Sequence, residues 1–468
     1  MKTIAVASLA LVASALAGCA TFSEDGGFGG IGVAVKERSG AEARWIRNDA
    51  DAQSTAREVK RLLAEPLGPE QAVAVALLNN RGLQAAFAEV GISEAERVQA
   101  GRWINPGFSY ARLERGDVLE IERKLVFSLI DLFTLPRRSE IASQRLERAK
   151  LGAAGEALRL AAEARRAWFE AVAAREAEKY FEQAQMAAEA SAELSERMAR
   201  IGNVPKLQRL REQTFLAEAG AELARARQGA LAARERLVRV LGLAGEDTAF
   251  KLAERLPELP KAPREAREME ATALRERLDV RAAKHEAEAL AASLGLTEAT
   301  RFVNVLEIGW QHNSATGEPA QKGWELELRL PIFDTGDARL ARAQHQYMQA
   351  VNRAAQVAVN ARSEVRETYH AYRTAYQLAS RYRDEIVPLR RQISEENLLR
   401  YNGMLIGVFE LIADARQTMA SVNASIEALR DFWLAESALQ AALTAGSTGG
   451  APSLARTAAR APEGAEQH

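Results

Sequence analysis

The chain has 468 residues, 62 Lys+Arg against 63 Asp+Glu, a formal net charge of -1 and one cysteine. Balanced charge removes the electrostatic footprint that nucleic-acid binding needs, and a lone cysteine excludes a disulfide framework or a multi-cysteine metal site. The histidines (His285, His312, His345, His370, His468) show neither clustering nor HExxH spacing, so no metal site is expected. An Ala/Glu/Arg/Leu-rich composition with only 13 prolines points to long helices.

At the amino terminus, Met1-Lys2 forms a short positive segment, and Ile4 to Ala17 is an uncharged, mostly apolar run. That run has the length of a secretory h-region and falls short of the roughly 20 residues a permanent membrane helix needs. It ends in Leu16-Ala17-Gly18-Cys19, which resembles the lipobox of bacterial lipoproteins. The resemblance implies a signal peptide over 1–18, acylation of Cys19 and, with Ala20 following, an outer-membrane destination. Several acyl chains, at about 0.8 kcal/mol per buried CH₂, would make attachment effectively permanent. Gly27-Phe28-Gly29-Gly30-Ile31-Gly32 matches GxGxxG formally. With no preceding strand and no helix expected to open on it, it reads as part of a flexible, lipid-anchored tether over 19–66 rather than a dinucleotide loop.

The most informative feature is self-similarity. Leu83-Gln84-Ala85-Ala86 is echoed by Val280-Arg281-Ala282-Ala283 at an offset of 197, and Arg102-Trp103-Ile104-Asn105 by Arg301-Phe302-Val303-Asn304 at 199. Leu132-Phe133 matches Ile332-Phe333 at 200, and Gly202-Asn203-Val204-Pro205 aligns with Met404-Leu405-Ile406-Gly407 at 202. A steady offset drifting by small insertions describes a tandem duplication, with a first repeat over 67–272 and a second over 273–443. The tail over 444–468 is Gly/Ser/Pro/Ala-rich without periodicity and reads as disordered.

Each repeat reads as helix, two strands, a very long helix, a turn and another long helix. Gly68 to Gly101 reads as one helix, and strands are expected near 105–130 and 302–331. Leu119, Ile121, Arg123, Leu125 and Phe127 alternate with Glu120, Glu122, Lys124, Val126 and Ser128. Trp324, Leu326, Leu328 and Leu330 alternate with Glu325, Glu327 and Arg329. Period 2 with one apolar face suits either a membrane-barrel strand or a half-buried hairpin. From Arg137 to Ile201 there are 65 residues without proline, about 97 Å of helix at 1.5 Å per residue. The long hairpins are expected over 137–242 and 337–443. The second carries a heptad seam through Tyr347, Val351, Ala354, Ala358, Ala361, Val365, Thr368, Tyr372, Ala375, Ala379, Tyr382 and Ile386. Another runs through Leu216, Ala219, Leu223, Ala226, Ala230, Ala233, Leu237 and Val240, with Ala217, Ala221 and Ala224 widening it. Alanine seams bury little area, so stability must come from length and from association between chains.

The duplicated order, Pro331-Ile332-Phe333-Asp334-Thr335-Gly336 entering a long helix, and Arg400-Tyr401 ahead of Leu405-Ile406-Gly407-Val408-Phe409-Glu410-Leu411 resemble the TolC-type outer-membrane efflux proteins over Leu67 to Leu443. The resemblance implies a mainly α fold of coiled-coil hairpins with four strands per chain. Three chains would build a 12-stranded outer-membrane barrel continued by an α-helical periplasmic tunnel. It further implies a homotrimeric exit duct that docks on a periplasmic adaptor and an inner-membrane pump, performs no chemistry and needs no cofactor. By the same resemblance, Glu410 and Asp414 fall at an acidic periplasmic constriction and Tyr401 on a tyrosine that holds the closed end. Ile406 stands where the family prototype has a gating arginine. Solvated helix charges are the competing reading for Glu410 and Asp414.

The turns Gly202-Asn203-Val204-Pro205-Lys206-Leu207 and Met404-Leu405-Ile406-Gly407-Val408-Phe409 are apolar where free helical hairpins would be polar, which suggests a partner surface; packing of each hairpin's own turn is the competing reading. By the resemblance, Gly202, Asn203, Val204, Pro205, Leu405, Ile406, Gly407 and Val408 are adaptor-docking tips. Trp103, Trp310 and Trp324 lie on or beside the strands, at lipid headgroup level if these span a membrane. No nucleophile–base pair or phosphate loop supports an enzyme. An adaptor or structural coiled-coil lipoprotein without its own channel is the alternative, although two hairpins and no β-rich body fit it poorly. The sequence leaves the exported substrate open among drugs, metal ions, solvents and proteins.

Overall fold

The alternation read from the sequence folds into strands, and the long alanine-rich runs fold into helices. The computed structural model describes residues 20–265 and 268–446. Residues 1–19, with the signal segment and Cys19, and the tail beyond Gly446 lie outside them. In chain order the elements are α1 (Gly29–Ser39), α2 (Asp49–Leu63), α3 (Pro69–Asn79), α4 (Arg81–Ala100), β1 (Gly107–Arg115), β2 (Val118–Ser128), α5 (Leu129–Arg200) and α6 (Lys206–Leu241). Then follow α7 (Met269–Glu276), α8 (Leu278–Ala299), β3 (Leu306–Ala315), β4 (Gln321–Leu328), α9 (Asp337–Arg381), α10 (Val387–Asn402) and α11 (Val408–Thr444). No described helix is long and apolar enough to cross a membrane.

Two units divide the chain: one takes the residues up to Ile31 with Ala85–Ala154 and Leu278–Val359, the other Gly32–Gln84, Gly155–Arg277 and the chain from Asn360. The first unit holds the sheet, four antiparallel strands in the order β1-β2-β3-β4. Its amino-terminal segment is fastened rather than slack. Asp25 accepts from the backbone N–H of Gly27 at 2.9 Å and of Gly29 at 2.6 Å, which holds its carboxyl below the usual carboxylate range. Phe28 packs edge-on against Phe87 at 4.9 Å. Helix α1 opens within the glycine run and buries Ile31 and Val35, one turn apart. The flexible tether expected over this stretch is therefore corrected: short-range bonds from Asp25 organise the glycines, and burial of Ile31 and Val35 offsets part of the ordering entropy.

In the second unit, aromatic side chains serve as polar handles on buried bodies. The Trp168 indole N–H donates to the Leu67 carbonyl at 2.7 Å, and that of Trp433 to Pro257 at 3.0 Å. Phe169 stacks on Trp433 at 5.3 Å. The Tyr376 hydroxyl donates to the Lys261 carbonyl at 3.0 Å, and that of Tyr372 accepts from the Arg264 N–H at 2.9 Å. These bonds hold an extended segment across α9 and α11, with Leu259, Tyr372, Ala375, Phe432 and Leu439 in one cluster.

The expected single helix over Gly68–Gly101 is broken at Asn80, whose backbone is extended (ψ 121°). Asn79 Nδ2 donates to the Gly242 carbonyl at 2.7 Å and Asn80 Nδ2 to that of Val240 at 3.0 Å, satisfying the last carbonyls of α6. Asn80 Oδ1 accepts from the Leu83 N–H at 3.1 Å and caps α4. Side-chain bonds to a distant helix end thus outcompete helix continuation.

Helix α5 has 72 residues and starts before Pro136 rather than after it. Of the α9 seam, Ala361, Val365, Thr368, Tyr372, Ala375 and Ala379 are buried, whereas Val351 is exposed. The seam ends in a wide turn over Tyr382–Ile386, where the Val387 N–H bonds the Tyr382 carbonyl five residues back. Pro388 explains the widening: its ring would clash with the carbonyl four residues earlier, and it offers no N–H.

Gly242 ends α6 with φ +68°, and a Cβ there would lie 3.0 Å from the Asn79 carbonyl oxygen and 3.1 Å from the Asn80 Cα. Gly242→Ala is expected to destabilise the fold by about 1–3 kcal/mol. A lowered thermal midpoint of the helical circular-dichroism signal, relative to Gly220→Ala at an open helical position with ordinary backbone, checks this.

Candidate functional site

Two regions collect the residues singled out by the sequence: the sheet of the first unit and the hairpin turns of the second. In the sheet, register fixes which side chains share a face. Phe108, Leu125, Trp310 and Trp324 form one row across all four strands. Phe127, Ile308 and Leu326 form the next row on that face. It is exposed, with Trp324 at 74 % and Phe108 at 69 %. The other face carries Glu120, Glu122, Glu307, Glu325 and Glu327 with Lys124 and Arg115. Lys124 pairs with Glu325 at 2.6 Å across β3, where Gly309 leaves room for the contact. Glu307 stands directly opposite Glu327, an arrangement that like charges disfavour. An exposed aromatic face backed by a carboxylate-rich face inverts the pattern of a soluble half-buried sheet. The edges β1 and β4 pair with no described strand on their outer sides. Trp103 is likewise exposed, just ahead of β1.

At the first turn, Gly202 takes φ +77° and the Asn203 N–H reaches the Met198 carbonyl at 3.0 Å, so α5 closes in a left-handed cap. Gly202, Asn203 and Pro205 are exposed, whereas Val204 is buried and packs the turn. At the second turn the left-handed residue is Met404 (φ +58°), with the Leu405 N–H on the Arg400 carbonyl at 2.8 Å. A non-glycine side chain there is strained. Met404 is 94 % exposed and Leu405 77 %. Gly407 is exposed, while Ile406 and Val408 are half-buried. The docking residues named from the sequence thus divide into exposed and inward-packed groups, and Met404 at the head of the second turn is almost fully exposed. Its left-handed backbone matches its place at the offset of 202 from Gly202.

The paired acids also divide. Glu410 is exposed and Tyr401 largely so, but Asp414 is buried, and its Oδ2 has no hydrogen-bond partner among the described residues. Beside the turns the structure adds a buried carboxylate that the sequence reading omitted. Glu212, seventh residue of α6 as Asp414 is of α11, accepts from the Ser191 hydroxyl at 2.6 Å, Gln208 Nε2 at 3.0 Å and Arg416 Nη2 at 2.8 Å. The Arg416 guanidinium also lies 3.6 Å from the Phe215 ring centroid. This contact ties α6 to α11 across 204 residues of sequence. Applying the offset of 202 to Asp414 lands on Glu212 and was the available clue.

No family model matches the chain, and no curated protein does. Solved structures do. The outer-membrane channel OprN matches at 19 % identity with a TM-score of 0.68, over 83 % of this chain and 92 % of its own. The outer-membrane protein VceC from Vibrio cholerae matches at 16 % identity and TM-score 0.66, over 84 % and 96 %. CusC, described in terms of transmembrane channel formation, matches at 18 % and 0.66, over 83 % and 92 %. The chain has the fold of TolC-type outer-membrane channels. Long helices and four antiparallel strands, as the sequence led one to expect, are the shared architecture.

Arg416→Ala strands the buried Glu212 carboxylate, 3 % exposed, with only the neutral donors Ser191 and Gln208, and is expected to cost roughly 3 kcal/mol. Glu212→Ala should cost less, because the Arg416 side chain it leaves behind is 33 % exposed and can turn to solvent. Denaturant midpoints of the two variants measure the difference.

Proposed function

We propose that the chain is one third of a homotrimeric outer-membrane duct through which solutes leave the periplasm. The observation that carries this reading is the incomplete sheet, aromatic on its exposed face, charged on the other and unpaired at both edges. In lipid each unpaired backbone group costs several kcal/mol, and a closed barrel needs about eight strands or more. Four strands cannot close alone; three copies joining β4 of one to β1 of the next give twelve. The aromatic face then meets lipid, with Trp103, Trp310 and Trp324 toward the headgroups, and the carboxylate-rich face lines the lumen. Likeness in fold to the outer-membrane channel OprN and the outer-membrane protein VceC supports this reading.

The lipid anchor at Cys19 belongs to this reading. Arg97 Nη2 donates to the Thr21 carbonyl at 2.9 Å, and Ala20 lies so close to Gly101 that a Cβ there would come within 2.8 Å of it. The residue after the cysteine therefore sits where α4 leads toward β1, a position from which acyl chains reach the same bilayer as the sheet. The two turns, led by exposed Met404 and Leu405, are the surface for a periplasmic adaptor and, through it, an inner-membrane pump. Threefold symmetry gathers exposed Glu410 into a constriction ring with Tyr401 nearby. Asp414 stands behind that ring in the helix packing, and with Ile406 where the prototype has arginine, the clasp of Glu212 and Arg416 is the neighbouring charge contact. A duct of this kind transforms nothing, and its cargo is set by the pump it serves.

Purified protein in planar bilayers is expected to open pores as a detergent-requiring trimer; a water-soluble, non-conducting monomer after removal of the acyl groups would leave only the adaptor-like alternative. Glu410→Ala should lower cation preference, seen as a reversal potential moving toward zero in a salt gradient, while Asp414→Ala alters stability without that shift. Cys19→Ser should remove the acyl mass and leave an unmodified, unprocessed amino terminus in intact-mass measurement.

A further inference from the structure

Most carboxylates of the sheet lie on one face, and the opposite, aromatic face is not apolar along its whole height. Beyond the rows led by Trp310 and Ile308, the next row toward the hairpin turns is Tyr110, Arg123, His312 and Lys322, directly opposite one another on successive strands. Arg112 follows two residues further along β1, paired with Glu114 on the same face. Arg123 Nη1 lies 3.4 Å from His312 Nδ1, and the imidazole stacks loosely beside Trp310, with ring centroids 6.0 Å apart and planes 27° from parallel. Lys322 is exposed and has no carboxylate partner among the described residues. The opposite face at this height carries Glu120 and Glu122. A cation on a lipid-facing surface costs about 2–4 kcal/mol at the bilayer midplane and almost nothing at the interface. A basic row bordering an aromatic belt therefore marks the headgroup level, at the end of the sheet farthest from the helices.

We propose that Arg112, Arg123 and Lys322 form a binding surface for phosphate groups of outer-leaflet lipid, in particular the two phosphates of lipid A. The proposal rests on the duct reading, which makes this face lipid-exposed and its turns extracellular. Strands spaced about 4.8 Å apart set Arg123 and Lys322 roughly 10 Å from each other, a spread that two phosphates of one headgroup or of adjacent lipids can bridge. Tyr110 supplies a hydroxyl in the same row, and Trp310 and Trp324 directly below offer a platform for the first acyl segments. Threefold closure repeats the set around the barrel, giving a continuous basic girdle above an aromatic one. The carboxylates of the lumenal face are screened from it by the sheet itself.

The test uses the full-length trimer reconstituted into phosphatidylcholine nanodiscs with and without lipid A. Lipid A retained per trimer is read by native mass spectrometry and ion conduction in planar bilayers. Each basic side chain near an anionic headgroup is expected to contribute about fivefold in affinity, so Arg112→Gln/Arg123→Gln/Lys322→Gln should retain roughly a hundredfold less lipid A, with phosphatidylcholine retention and conductance unchanged. If the triple variant fails to assemble, Arg112→Gln/Lys322→Gln, both on exposed side chains, should still lose more than tenfold. Equal lipid A retention by conducting wild type and variant would overturn the binding surface and leave the duct standing. A wild-type chain that neither trimerises nor conducts would overturn the duct, and this surface with it.

Discussion

The backbone at the two edges of the sheet governs the rest of the molecule. Strands β1 and β4 present N–H and C=O groups with no strand opposite them among the described residues. Water could satisfy those groups, but a face bearing Phe108, Trp310 and Trp324 is poorly suited to water. Lipid accepts the aromatic face but cannot satisfy the edges. In the duct proposed above, pairing with another copy satisfies both demands, so that oligomer rests on an unfinished ladder rather than on a patch of helix contacts. The helical region adds to this: Ala217, Ala221 and Ala224 remain exposed on α6, and α10 buries none of its residues within the chain.

Legibility from sequence tracked the range of the interaction. Period-2 alternation in β2 and β4 and the seam from Ala361 to Ala379 are repetitive, and repetition averages out single exceptions. The break at Asn80 was invisible because its cause lies at Val240 and Gly242, 160 residues away. The helix at Gly29 is hidden for a local reason: the Asp25 bonds that organise its glycines depend on a turn that composition does not display. The clasp between Glu212 and Arg416 combines both difficulties, a long separation and an isolated charge. Only the internal repeat offered a route to it.

The division of the acidic residues near the second turn illustrates how burial sorts residues of one chemical type into different tasks. Glu410, one residue after Phe409 and early in α11, remains in solvent; Asp414, four residues on, is turned inward. On a helix, positions four apart share a face only approximately, and the 40° that 3.6 residues per turn leaves between them decides which one meets a neighbouring helix. A carboxylate inside packing raises the cost of any rearrangement there, because moving it requires moving its surroundings. One in solvent answers to whatever ion or charge approaches.

The wide turn at Tyr382–Ile386 bears on how the second hairpin is packed. Adding one residue to a turn displaces every downstream face by about 100°, so the seam that binds α9 to its neighbours cannot continue into α10. The consequence is visible in burial: six seam positions of α9 are enclosed, and α10 has none. Arg383, bonded to Asp384, also donates to the Leu259 carbonyl at 3.3 Å, so the extended segment grips the hairpin just where its packing phase changes. Above this point the hairpin is held by aromatic straps; beyond it, α10 and α11 meet chiefly each other, with Met404 at their turn. The hairpin is therefore packed differently on the two sides of the wide turn, by aromatic straps on one side and on the other by contact between α10 and α11, with the clasp of Arg416 and Glu212 as a further tie to α6.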